Sequence, residues 1–256
     1  MTQILLATKL LSTANSATYT YSSTASPTPS STPTQPSVNT PVDWSQFNDS
    51  VLILVQRPKG NLMGNTVCTG VIIHPRVVIT TAHCADEATS MTVVFDVENG
   101  TSAIKKETVA GAQIIIHPDY HPKESLYKAD LAVLLLKNPA PLAEKFIRKI
   151  PTKDAVHAGD RLQRLGVGAR NGKNLRNVTD PIYFAHPGKG IMETSDFYSS
   201  FGDSGGPVYT RDHQLLGVHS TIDDFDGKKT PHAFAVYLPD YHDWIQAKIK
   251  VWVSHN

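Results

Sequence analysis

Residues 202–207 read Gly202-Asp203-Ser204-Gly205-Gly206-Pro207, and Val208-Tyr209-Thr210 continue from them as a strand-like run. A serine between glycines fits G-x-S-x-G, a pattern that can set a nucleophile on a turn from a strand into a helix. Here the turn leads into a strand, and the surrounding chain does not alternate strands with helices. The glycines let the backbone turn so that successive N–H groups can converge on one spot. There they would stabilise the negative charge of a tetrahedral acyl intermediate. A serine hydroxyl is a weak nucleophile alone, so this reading asks for a base and a carboxylate to orient it.

Both residue types occur in suitable settings. Thr80-Thr81-Ala82-His83-Cys84 places His83 just after the apolar stretch 77–79. Ala129-Asp130-Leu131-Ala132-Val133 places one acidic residue at the mouth of an apolar strand, where a charge persists only with partners. Outward from these segments the chain is a series of short Val-, Ile- and Leu-rich runs separated by Gly, Pro and Asn. Strands are expected at 51–55, 67–73, 77–80, 91–95, 113–116, 131–136, 161–165, 182–185, 207–210, 215–220 and 233–238. So many strands with so little helical periodicity imply an all-β barrel or sandwich. Only residues 240–251 follow a helical period, through Tyr241, Trp244, Ile245, Lys248 and Ile249.

The first 41 residues differ. Apolar residues 4–7 and 10–11, followed by small residues 14–17, resemble a signal peptide, although Lys9 interrupts the apolar stretch. Residues 1–20 are therefore expected to be a targeting segment. Of residues 22–41, sixteen are Ser, Thr or Pro and none is charged, so 21–41 reads as an extended linker or pro-segment. The globular part is expected from Val42 onward.

Composition narrows the function. The 256 residues carry 24 Lys and Arg against 23 Asp and Glu, a formal charge of +1, so no electrostatic footprint for nucleic acid is present. The longest uncharged apolar runs, such as 131–136, fall far short of the roughly 20 residues of a membrane helix. With only two cysteines, Cys68 and Cys84, a four-cysteine metal site is excluded; one disulfide or two free thiols stay open.

The order His83, Asp130, Ser204, inside TTAHC, ADLAVLLL and GDSGGP, resembles the trypsin/chymotrypsin family of serine endopeptidases from about residue 42 to 251. The resemblance implies two antiparallel six-stranded β-barrels, about 42–147 and 148–238, with the active site in the cleft between them and a C-terminal helix. It implies Ser204 as nucleophile, His83 as general base then acid, and Asp130 as the residue holding the imidazole tautomer. The N–H groups of Gly202 and Ser204 would form the oxyanion hole, and Cys68 and Cys84 would be a disulfide. It implies no metal or organic cofactor, protein or peptide substrates, a monomer, and a secreted or periplasmic location.

Resemblance also bears on specificity and activation. Tyr198 stands at the base of the family's S1 pocket, where trypsin-like members carry Asp, with Ser199 beside it. His219 and Ser220 align with the pocket wall, which is similar to the glutamyl endopeptidase and exfoliative-toxin branch. Ser199 and His219 are therefore expected to read an acidic P1 residue. Ile222 and the acidic residues Asp223, Asp224 and Asp226 speak against that, and basic or large apolar P1 residues are the alternative. Counting back from Cys68 lands a mature N-terminus at Val42, whose ammonium would pair with Asp203. An inactive binding module of the same fold is the remaining alternative.

Overall fold

Strict alternation in the first strand shows how the chain builds its sheets. In β1 (Ser50–Lys59) Val51, Ile53 and Val55 are buried, while Leu54 and Gln56 face outward. The computed structural model describes residues 44–59, 62–95, 105–122, 128–170, 173–174, 177–187, 190–196, 198–223 and 232–254. The expected targeting segment, the Ser/Thr/Pro-rich stretch, Val42, Asp224 and Asp226 lie outside the described residues.

The first sheet comprises β1, β2 (Leu62–His74), β3 (Val77–Thr80), β4 (Ser90–Phe95), β5 (Lys105–Ala110), β6 (Ile114–Ile116) and β7 (Ala132–Leu135). Their order is β5-β4-β1-β2-β3-β7-β6, antiparallel throughout. Only a 3₁₀ turn, Gly111–Gln113, separates β5 from β6. The two sheet edges are thus one strand bent at a corner, and the sheet is a nearly closed barrel of six strands. A short helix, α1 (Ala82–Ala85), follows β3.

After β8 (Arg161–Gly166) come the two-residue strands β9 (Ala169–Arg170) and β10 (Lys173–Asn174), which pair with each other. Next are β11 (Asn177–Pro187), β12 (Ile191–Thr194), β13 (Pro207–Thr210), β14 (Leu215–Asp223) and β15 (His232–Tyr237). The order β11-β12-β15-β14-β13-β8 closes on itself, so no edge is left to pair elsewhere. A 3₁₀ turn, Leu238–Tyr241, leads into the C-terminal helix α2 (His242–Ser254).

Each barrel has its own apolar filling. Ile53, Ile72, Met91, Leu134 and Leu136 pack in the first. Leu162, Ile182, Phe184, Met192 and Leu216 pack in the second. A third cluster joins them, with Val71, Ile79 and Leu131 against Leu165, Tyr209, Val218 and Val236, sealed by Ile245 of α2. The Tyr209 hydroxyl crosses this seam to donate to Asp49 at 2.8 Å, and Trp252 Nε1 of α2 donates to the Leu136 carbonyl at 3.0 Å. The expected all-β double barrel with a C-terminal helix is the observed fold.

Differences from the sequence reading have local causes. Strand β5 was not expected because Lys105, Lys106 and Glu107 give it no apolar stripe; only Val109 is buried among its described side chains. Strand β12 carries Met192 and Glu193, which have little strand preference, yet Met192 fills the second barrel. Gln113 belongs to the turn between β5 and β6 rather than to a strand. Tyr241 lies in the 3₁₀ turn, one residue ahead of the helix.

Cys68 on β2 and Cys84 on α1 form a disulfide, which settles the two-thiol alternative. No described helix is long and apolar enough to cross a membrane. The disulfide closes a short loop, so replacing both cysteines by alanine should cost about 3 kcal/mol. Thermal unfolding should show this as a Tm lowered by about 10 °C; an unchanged Tm would mean that the packing around α1 alone holds the loop.

Candidate active site

Asp130 has no solvent exposure, so its charge has to be met by donors from the protein. Three are present. The His83 backbone N–H donates to Oδ1 at 2.8 Å, and His83 Nδ1 lies 2.7 Å from Oδ2. The Ser220 hydroxyl donates to the same Oδ2 at 2.5 Å. A carboxylate accepting from Nδ1 places that ring proton on Nδ1 and leaves Nε2 as an acceptor. The side chain of His83 is 35% exposed, so part of the ring meets solvent.

The turn that presents Asp130 is strained. Ala129 has φ +52°, the left-handed region that side chains disfavour. Its N–H donates to the Tyr241 hydroxyl at 2.9 Å, and Tyr241 packs edge-on against His117 with ring centroids 5.0 Å apart. The chain just before α2 thereby holds the turn that carries Asp130. Sequence reasoning passed over this role because 112 residues separate the two partners.

Ser204 sits on the loop entering β13. Its carbonyl accepts from Thr69 N–H of the first barrel at 2.8 Å, and the neighbouring Gly205 N–H donates to the His219 carbonyl at 2.7 Å. The Ser204 hydroxyl donates to the Ser220 carbonyl at 3.3 Å, and no hydrogen bond joins it to His83. Gly202 has φ +95°, a conformation that glycine adopts without strain. Its carbonyl accepts from the Thr69 hydroxyl at 2.7 Å. Among the described residues, the N–H groups of Gly202 and Ser204 donate to no partner.

Asp203, between those two residues, is also fully buried. Its Oδ1 accepts from Gly168 N–H at 2.7 Å and Asn177 Nδ2 at 2.9 Å. Its Oδ2 accepts from Ser200 N–H at 2.8 Å and lies 3.1 Å from Arg164 Nη1. Arg164 is buried completely and also pairs with the buried Asp196 through Nε. Burial works against the Arg164 charge, but Asp196 and Asp203 more than offset it and raise its pKa. Burial likewise works against the Asp196 charge, yet Arg164 holds its carboxyl below the usual range.

The residues expected around S1 divide. Tyr198 is 44% exposed and Ser199 half-buried. His219 is 4% exposed, and burial followed by the Arg164 charge pushes its pKa down to about 4. It is therefore a neutral imidazole at pH 7. The Ser220 side chain is turned to Asp130 and only 2% exposed. Phe201, which drew no attention in the sequence, is 94% exposed beside Gly202. Val42 lies outside the described residues.

Two measurements test this geometry. Tyr241→Phe should strand the Ala129 N–H and cost about 1–3 kcal/mol in urea unfolding; no loss would mean that water replaces the hydroxyl. His219 is depressed to about 4 in the folded chain against 6.5 unfolded, so the unfolded chain binds the extra proton between those values. Its contribution to stability is whole above pH 6.5 and is lost as pH falls toward 4. His219→Gln should flatten that part of the stability profile, and an unchanged slope would exclude the buried neutral ring.

Comparison with known proteins agrees with the fold. A model of the Trypsin family matches residues 48–245. Ovochymase from Halocynthia roretzi is 28% identical over 215 residues, covering 73% of this chain and 14% of ovochymase. An inactive CLIP domain-containing serine protease A28 from Anopheles gambiae is 28% identical over 151 residues, covering 54% of this chain and 38% of that protein. The chain thus spans a minor part of both. Tryptase from Mus musculus is 26% identical over 212 residues, covering 70% of this chain and 77% of tryptase. Among solved structures, a scabies mite inactivated protease paralogue, S-I1, superposes with a TM-score of 0.65 at 18% identity. That likeness covers 82% of this chain and 97% of the paralogue, and at such identity it speaks for the fold alone. Since the family match runs through both barrels and the loops between them, the chain belongs to the Trypsin family.

Proposed function

We propose that the protein is a serine endopeptidase in which Ser204, His83 and Asp130 carry the reaction. The observation that supports this most is the pairing of Asp130 with His83 Nδ1 in the first barrel, which leaves Nε2 free to accept a proton, while the second barrel's loop before β13 carries the unpartnered N–H groups of Gly202 and Ser204. Ser204 first exchanges its bond to the Ser220 carbonyl for one to Nε2, a side-chain rotation of the kind that completes on substrate binding. Oγ then attacks the peptide carbonyl as its proton passes to Nε2, and the oxyanion takes the N–H groups of Gly202 and Ser204. Collapse expels the amine, which receives the proton from His83. Water repeats the sequence on the acyl-enzyme and frees Ser204. Asp130 stays ionised throughout and stabilises the imidazolium.

For the P1 residue we propose Glu or Asp, hydrogen-bonded by Ser199 and His219. Supporting this, the resemblance puts Tyr198 where trypsin-like members carry Asp, and the carboxylate of Asp196 close by in the chain is already paired to Arg164. The exposed rings of Tyr198 and Phe201 favour a second reading, a large apolar P1 residue. The disulfide supports an oxidising compartment, hence a secreted or periplasmic enzyme. One chain supplies every group used, which supports a monomer acting on protein or peptide substrates.

Cleavage of a mixed peptide library tests the reading. The protein should cut after Glu or Asp, Ser204→Ala should lose roughly 10⁴-fold or more, and His219→Ala should lose about 10–100-fold of the acidic preference. Cuts after large apolar residues would retain the peptidase and replace the P1 assignment. A folded protein that neither cuts nor labels with a fluorophosphonate would be a binding module, the reading favoured by the Ser204–Ser220 hydrogen bond.

A further inference from the structure

We propose that Arg164 is a positioning residue that orders Asp196 and residues 198–204 from inside the second barrel, so that the Gly202 and Ser204 N–H groups are set without a newly cut N-terminus. The sequence resemblance assigns Asp203 to an ammonium at Val42. In the structure that carboxylate already meets a full cation and three neutral donors: Arg164, Gly168, Asn177 and Ser200.

The anchor lies on the rigid part of the molecule. Arg164 is in the middle of β8, in register with Thr179 of β11 on one side and Val208 of β13 on the other. Its planar fork is used on every side. Nε reaches Asp196, Nη1 reaches Asn177 Oδ1 at 2.8 Å and Asp203 at 3.1 Å, and Nη2 reaches the Thr179 hydroxyl at 2.8 Å. Asp196 and Asp203 stand at the two ends of the segment that carries Tyr198, Ser199 and Phe201, so one guanidinium pins both ends. Asp196 also accepts the Tyr198 N–H at 3.0 Å, which ties the expected pocket base to the same group.

Burial makes the anchor all-or-none. Arg164, Asp196 and Asp203 have no solvent exposure. Were the loop to leave, it would strand a guanidinium in the barrel. The seat is also shaped for the carboxylate. Gly168 lies so close to Asp203 that any Cβ at that position would collide with the carboxyl group. His219, whose ring feels the Arg164 charge, is neutral at pH 7 and leaves the guanidinium to the two carboxylates.

The kinetic consequence rests on the peptidase reading, whereas the structural one does not, and a two-part experiment separates them. The full chain is prepared with its N-terminus intact by mass spectrometry, alongside Arg164→Met and Arg164→Lys. Amide hydrogen exchange is then followed over residues 198–206. The intact wild type should be protected there. Arg164→Met should exchange about 100-fold faster in this segment, with β1 and β2 unchanged, and Arg164→Lys should recover only part, since one ammonium cannot bridge both carboxylates. Fluorophosphonate labelling of Ser204 should proceed in the intact wild type and fall about 100-fold in Arg164→Met, the usual cost of losing an oxyanion donor. An unprotected segment in the intact wild type would overturn the proposal even if the Met variant fails to fold. So would a folded Met variant protected like wild type. Arg164-dependent protection without labelling in any chain would support this inference and overturn the peptidase reading.

Discussion

Charge that water cannot reach has to be met by donors built into the protein, and two such carboxylates, Asp130 and Asp203, organise everything around the cleft. Each sits beside a residue of the proposed chemistry and each is satisfied from more than one direction. Asp130 takes His83 from α1 and Ser220 from β14. Asp203 takes Arg164 from β8, Asn177 from β11 and the Gly168 N–H that follows β8. Because each donor lies on a different element, the elements can shift only by unpairing a buried charge. That penalty far exceeds the cost of a broken surface contact.

The seam between the barrels is part of the same constraint. Thr69 of β2 donates its N–H to Ser204 and its hydroxyl to Gly202, so the first barrel grips a loop belonging to the second. Asp130 belongs to the first barrel and is completed by Ser220 from the second. The apolar cluster of Val71, Ile79, Leu131, Leu165 and Tyr209 keeps these polar contacts dry. Packing area supplies the adhesion, and the few polar contacts across the seam choose the register.

The C-terminal segment has a similar double use. Ile245 seals the seam with apolar surface, and the Tyr241 hydroxyl takes the N–H of the strained residue Ala129. Strain at a functional turn persists only where the surroundings over-determine it. Here that support comes from a residue far along the chain, so the end of the sequence shapes the turn that presents Asp130.

How much of this is legible in the sequence depends on the range of the interaction. Strand positions such as 77–80 and 207–210 could be read because alternation and β-branching act within a few residues, and the helix near 242–254 because its apolar spacing is local. His83, Asp130 and Ser204 stood out because polar residues beside apolar strands and glycine turns mark chemistry at short range. Strand β5 did not, since a charged edge strand earns its place by pairing rather than by its own pattern. The sequence by itself determined an all-β barrel or sandwich, which the family resemblance narrowed to two barrels, together with the candidate residues and the two cysteines. Only the tertiary structure decided that Ser220 serves Asp130, that Tyr241 holds Ala129, that His219 is a buried neutral ring, and that Arg164 binds Asp196 and Asp203 together. Those partners lie up to 112 positions apart, and the need to satisfy a buried charge names no partner until the chain has closed around it.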